Sequence, residues 1–158
     1  MQEAWQNALG KMTYGIYALT TRHETAINGM IASWVTQISH DPPLIVVAVH
    51  PNRYSHTLIE KSGAFALHVL ERSQNNLLKR FKGPDAAAKF SDLQWEPGRT
   101  GSPILSACLA WLECRVTEQH QPGNHTLFTA EIIAAGPGGL PGTPLCTLDY
   151  EGRYIGKA

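Results

Sequence analysis

No CxxC pair occurs in this 158-residue chain, and its three cysteines, Cys108, Cys114 and Cys146, are an odd number. That pattern excludes a four-cysteine metal site and a disulfide framework. Each cysteine stands in or beside an apolar stretch and reads as a small buried hydrophobe of a cytoplasmic protein. Charge of one sign is missing too: 13 Lys+Arg balance 13 Asp+Glu, and no basic run exceeds Lys79-Arg80. Neither nucleic acid nor an anionic membrane surface is therefore expected as a partner. No apolar run approaches the roughly 20 residues that a spanning helix requires. The N-terminal "MQEAWQNALGKM" is amphipathic and short, without the charged-then-apolar order of a secretory leader. The seven histidines form no HxH or HxxxH pair, so a metal site has no support. No GxSxG, HExxH or Walker sequence occurs. "GPGGLPG" (136–142) lacks GxGxxG spacing and no helical pattern follows it, so it reads as a turn.

What is present has the size and composition of a single domain over 1–158, 43% hydrophobic and long enough to bury a core. Residues 3–9 fit a short helix. "TYGIYALTTR" (13–22) alternates as a strand does, and "HETAIN" reads as a polar turn. "NGMIASWVTQISHDPPLIVVAVH" (28–50) reads as two strands joined at a double proline, the second an apolar run expected to be buried on both faces. "AFALHVL" (64–70) is a further strand, with Ala64, Ala66, His68 and Leu70 on one side. "SQNNLLKRFKGPDAAAKF" fits one or two short helices broken at Gly83-Pro84. "LAWLECRVTEQH" (109–120) and "HTLFTAEIIAAG" (125–136) form a hairpin across "QPGN". "TLDYEGRYIGKA" closes the chain as a short strand or strand pair. Six or seven strands with a few short helices predict a mostly-β barrel, not a βαβ sheet.

Two stretches invite chemistry. Ser33, Thr36 and Ser39 recur at a spacing of three among Met30, Trp34 and Val35, so small hydroxyls there cap backbone or face something polar that is not protein. In "HPNRYSHTLIEKSG" (50–63), Thr57-Leu-Ile-Glu60 has the form of a capping box that starts a helix before Gly63. Asn52, Arg53, Ser55 and His56 lie just ahead of it. A helix start with hydroxyls and a guanidinium suits a terminal phosphate, and Lys79, Arg80 and Lys82 offer a second cation. Read from the residues alone, the plainer reading is favoured: Thr57 only caps a helix and Arg53 is a solvated charge.

In combination, "GIYALTT", "NGMIASWVTQISHDPPLIVVAV", "HTLIEKSGAFALHVL", "GSPILSACLAWLECRV" and "GNHTLFTAEI" resemble the flavin reductase-like family of FMN-binding split barrels. The modules attached to diiron flavoproteins and high-molecular-weight rubredoxins are the nearest in flavour. The resemblance runs from about Ala8 to Tyr154. It implies a split β-barrel, usually a homodimer, that binds FMN, with FAD possible. It places Met30, Ala32, Ser33, Trp34, Val35 and Thr36 along the isoalloxazine ring. Arg53, Ser55, His56 and Thr57 would hold the phosphate, with Phe81 and Lys82 closing on it.

The resemblance also implies hydride transfer from NAD(P)H, and His125 is the candidate catalytic residue on the nicotinamide side. The family usually carries Gly-Asp-His where this chain has Gly123-Asn124-His125. An amide cannot stabilise an imidazolium as a carboxylate does, so His125 is expected to titrate lower than in relatives that carry the aspartate. Two functions follow: an NAD(P)H-dependent flavin reductase that passes electrons to a partner, or an FMN-binding electron-transfer protein without its own nicotinamide site. Either takes a protein electron acceptor or donor. A barrel that has lost its cofactor would have no reason to keep Ser33, Thr36, Arg53, Ser55 and Lys82 together. Trp5, Trp34, Trp95 and Trp111 are more than one small core readily hides, which is compatible with a dimer.

Overall fold

The computed structural model describes residues 1–149. Seven strands build one antiparallel sheet: β1 (Tyr17–His23), β2 (Ala26–Ala32), β3 (Val35–Ser39), β4 (Leu44–Val49), β5 (Ala64–Val69), β8 (Ala110–His120) and β9 (Thr126–Pro137). A two-stranded hairpin, β6 (Trp95–Pro97) with β7 (Pro103–Leu105), stands apart from it. The helices are short: α1 (Gln2–Leu9), α2 (Tyr54–Ser62), α3 (Asn75–Lys82) and α4 (Ala86–Phe90). The mostly-β expectation holds, and so do the break at Gly83-Pro84 and the hairpin across 121–124.

The strand order is β2-β1-β5-β8-β9-β4-β3. In a flat sheet β2 and β4 would lie about 24 Å apart, five strand spacings. Yet Ala32 of β2 and Ile45, Val47 and Val49 of β4 share one buried cluster with Leu19, Phe65, Leu67, Cys114 and Phe128. The sheet therefore curls around its inner face, as strand twist favours. Its end strands β2 and β3 are joined through Ser33-Trp34, and no ladder pairs them. A second cluster, including Ala18, Leu70, Leu77, Leu78, Phe81, Phe90 and Leu105, covers the outer face of β1 and β5 with α3, α4 and β7.

That second layer corrects one burial expectation. β4 alternates, with Ile45, Val47 and Val49 buried and Leu44, Val46 and Ala48 half-buried. The strand buried on both faces is β5, because helices cover its outer side. Three boundaries also move. Only Glu24 and Thr25 make the turn before β2, and Ala26–Asn28 already pair with β1. Helix α2 starts at Tyr54 after an Arg53 N-cap, so Thr57 lies inside the helix and does not cap it. Gly63 does end the helix, at φ 66, where a side chain would be strained. Finally, residues 147–149 form a single 3-10 turn; the rest of the expected closing strand lies outside the described residues. Cys108 and Cys114 are fully buried and Cys146 is half-buried, all three as free thiols.

Candidate functional site

Four chain segments meet where the ends of the barrel sheet come together: the β2–β3 link, the end of β4, the start of α2 and the start of β9. The first turn of α2 has no side-chain cap, and Arg53 precedes it in an extended conformation. Uncapped N–H groups at a helix start attract an anion. Lys89 reaches the same region from α4. It is 7% exposed, and its ammonium donates to Asn28 Oδ1 at 3.0 Å and to the Gly29 carbonyl at 2.9 Å. Asn28 Nδ2 in turn donates to Ser55 Oγ at 2.9 Å. Among the described residues no carboxylate pairs with Lys89. Burial, and then the nearby Arg53 charge, pull its pKa down. A buried ammonium bonded only to uncharged oxygens and within electrostatic reach of a guanidinium suits an anion.

Ser33 sits 1% exposed in the β2–β3 link, and its hydroxyl is the only buried side-chain polar atom without a partner among the described residues. Beside it in sequence, the Trp34 ring lies 4.8 Å from that of His125, tilted by 54°. His50 also meets His125, edge to face at 5.1 Å. The His125 Nδ1–H donates to Asn124 Oδ1 at 2.9 Å. Burial lowers the His125 pKa, with the His50 and Arg53 charges adding to it. Burial is the main cause of this shift from the ordinary imidazole value.

The other expected residues divide into lining, support and surface. Met30 and Val35 are half-buried against the inner core, and Ala32 is part of it. Ser55 is buried in the Lys89 chain. His56 turns inward: its Nε2 pairs with Thr126 Oγ1 at 2.8 Å, and its Nδ1 lies 3.5 Å from Glu60. Phe81 is 2% exposed against Phe90 and beneath Gly29, whose missing Cβ leaves room for the ring. Thr36, Thr57 and Lys82 are exposed, and the Thr36 hydroxyl donates to the Gln37 carbonyl.

Sequence reasoning missed Lys89, Asn28 and His50. Asn28 carried a legible signal, a polar residue at an inward position of an apolar strand. Lys89 carried a fainter one, the lone charge in "AAAKF". A cavity of about 730 Å³ opens elsewhere, between the β6–β7 hairpin and the far ends of β8 and β9, and none of these residues lines it.

A buried ammonium beside a guanidinium, a ring-lined wall and an orphaned hydroxyl are features that a planar ligand with a phosphate tail would need. Flavin mononucleotide meets that description. The family model described as "Flavin reductase like domain" matches residues 9–156, and the chain belongs to this family. It is 33% identical over 154 residues to the FMN reductase (NADH) SmoA of Agrobacterium fabrum, covering 98% of this chain and 84% of that protein. It is 36% identical to the putative diflavin flavoprotein A 2 of Synechocystis, covering 79% of this chain but 22% of that longer protein. The crystal structure of a nitrilotriacetate monooxygenase component B homologue from Mycobacterium thermoresistibile superposes with a TM-score of 0.84. The two share 28% identity, over 92% of this chain and 81% of that one.

Proposed function

We propose that the chain is an NAD(P)H-dependent flavin reductase that binds FMN, or the FMN half of FAD, between the β2–β3 link and the start of α2. The observation that carries this reading is the Lys89 ammonium, buried beside Arg53 and bonded only to uncharged oxygens. Lys89, Arg53 and the uncapped turn of α2 neutralise the phosphate, and Asn28 and Ser55 hold Lys89 in place. The Ser33 hydroxyl hydrogen-bonds the polar edge of the ring, with Met30, Ala32 and Val35 as apolar floor and Trp34 as a wall against water. His56 and Phe81 support these groups from behind, and Thr36, Thr57 and Lys82 lie at the rim. His125 borders the open side and is the candidate residue for receiving the nicotinamide. The bound flavin itself supplies the capacity to accept a hydride.

SmoA is named as an NADH-dependent FMN reductase and component B as part of a monooxygenase. By analogy, reduced flavin goes from this chain to a partner oxygenase or another protein acceptor. A homodimer belongs to the same proposal. Helix α1 buries none of its residues and leaves Trp5 and Leu9 exposed, with Met12 just beyond it. Eight residues do not hold a helix in water unaided, and a second copy would cover that face. No described helix is long and apolar enough to cross a membrane, and three free thiols agree with a cytoplasmic setting.

The test is the visible spectrum of protein reconstituted with FMN and desalted, before and after anaerobic NADH and then NADPH. Retained absorption that either nucleotide bleaches supports a reductase. Retained absorption that only dithionite bleaches supports an electron carrier fed by a protein. If no flavin is retained, steady-state NADH oxidation with added FMN decides whether flavin is a substrate. Absence of both binding and turnover would sink the proposal.

A further inference from the structure

His50 follows Val49, the last residue of β4, and His125 precedes Thr126, the first of β9. Val49 and Thr126 are ladder partners. Side chains alternate along strands, so the two histidines that flank this pair fall on one face of adjoining strand ends. Their rings meet at 5.1 Å with an interplanar angle of 87°. The His50 ring is held in that attitude by the Asn52 backbone N–H, which donates to its Nδ1 at 3.1 Å. A neutral His50 therefore carries its proton on Nε2. In His125 the assignment is reversed: Nδ1–H donates to Asn124 Oδ1, an acceptor, so Nε2 bears the lone pair of the neutral ring.

We propose that His50 is a positioning residue that holds the His125 ring against Trp34 and keeps it neutral. His125 Nε2 then serves as an acceptor for an amide N–H such as that of a nicotinamide carboxamide. This inference rests on the reading that His125 borders the nucleotide side. The groups that face His125 are Trp34 from the β2–β3 link, Asn124 from its own hairpin, His50 from β4 and Arg53 from the start of α2. None of them is an acid, and the one carboxylate on α2, Glu60, lies against His56. Charging both imidazoles would set two cations against each other beside a guanidinium, and edge-to-face packing gives no relief from that. The lowered pKa of His125 agrees with this arrangement.

The His50 ring packed on His125 shields it from water, and burial is the main cause of its lowered pKa. Removal of the ring therefore raises that pKa, and a permanent charge at position 50 lowers it further. His50→Asn retains an oxygen that can accept from the Asn52 N–H, which protects the turn. The acid limb of kcat/KM for NADH, measured with saturating FMN from pH 5 to 9, moves up by about half to one pH unit in His50→Asn. It moves down in His50→Lys. An NMR titration of the His125 ring in the same variants follows the same order. An acid limb and a His125 titration that stay in place in both variants overturn the proposal. The underlying reading fails separately: in that case His125→Asn keeps both the wild-type kcat/KM and the acid limb.

Discussion

Two groups of buried polar side chains occupy this small barrel, and they are satisfied to different degrees. Beneath the β6–β7 hairpin, His68 donates from Nδ1 to the Ala18 carbonyl and accepts the Leu105 N–H at Nε2, both at 3.0 Å. Nearby on β8, the buried Glu113 carboxylate accepts from the N–H groups of Arg99 and Thr100 and from the Thr100 hydroxyl. At the other end, Ser33 has no partner and Lys89 has only uncharged ones. Burial of a polar group is costly unless it is bonded. The first group closes its own hydrogen-bonding account within the chain. On the proposed reading, the anion and ring edge of a flavin would complete the second. Completeness would then separate residues kept for the fold from residues kept for a ligand.

The sharpest way to break that contrast is at Glu113. Its removal in Glu113→Ala strands two N–H groups and a hydroxyl in a loop packed directly on the carboxylate. Unfolding by urea should show a loss of about 3–5 kcal/mol, with flavin affinity of the folded fraction unchanged. A loss below about 1 kcal/mol would mean that the loop finds other acceptors, and the contrast would lose one side.

His68 makes the same point through pH. Burial pushes its pKa down to about 4 from an ordinary 6.5. Between those values the unfolded chain binds a proton that the folded chain refuses. Stability therefore falls as pH drops from about 6.5 to about 4, by about 3 kcal/mol for this group. Unfolding free energies measured across that window in wild type and His68→Gln check it: the slope should shrink in the variant. An equal slope in both would place the acid sensitivity elsewhere.

At the ligand end the expected response is reversed, with binding changed and the fold left intact. Lys89→Met removes a buried cation and keeps a long apolar side chain. FMN affinity should fall about 30- to 100-fold, the worth of a charge-assisted contact of about 2–3 kcal/mol. The flavin-free protein should lose at most about 1–2 kcal/mol, because two acceptors, Asn28 Oδ1 and the Gly29 carbonyl, lose a donor while a costly buried charge is removed. Unchanged affinity together with a clear loss of stability would move Lys89 into the structural group.

The fold was largely legible because its signals are local. Alternating apolar runs gave the main strands, Gly83-Pro84 gave the break between α3 and α4, and "QPGN" gave the long hairpin. The misses have physical reasons. β6 and β7 are three residues each, too short for a period to declare itself. Burial of β5 on both faces depends on helices that arrive later in the chain. Thr57-Leu-Ile-Glu60 has the composition of a capping box, but the helix is capped four residues earlier, at Arg53, with Ser55 and His56 turned inward. Ser33 and Arg53 could be picked out in sequence. Lys89 could not, since only packing of α4 on β2 carries it 61 positions back to Asn28.

Ser33 gives the smallest effect and the finest discrimination. Its hydroxyl is buried with no protein partner, so Ser33→Ala removes an unsatisfied group and leaves no stranded neighbour. By the logic applied to Glu113, loss of a hydroxyl inside a barrel would be destabilising. By the logic of an incomplete site, the flavin-free protein should be as stable as wild type or slightly more so. FMN affinity, read by quenching of flavin fluorescence, should drop about fivefold, near 1 kcal/mol. A stability loss above about 1 kcal/mol with affinity intact would show that the hydroxyl serves the fold after all. Partner count in the flavin-free chain would then no longer separate the two groups.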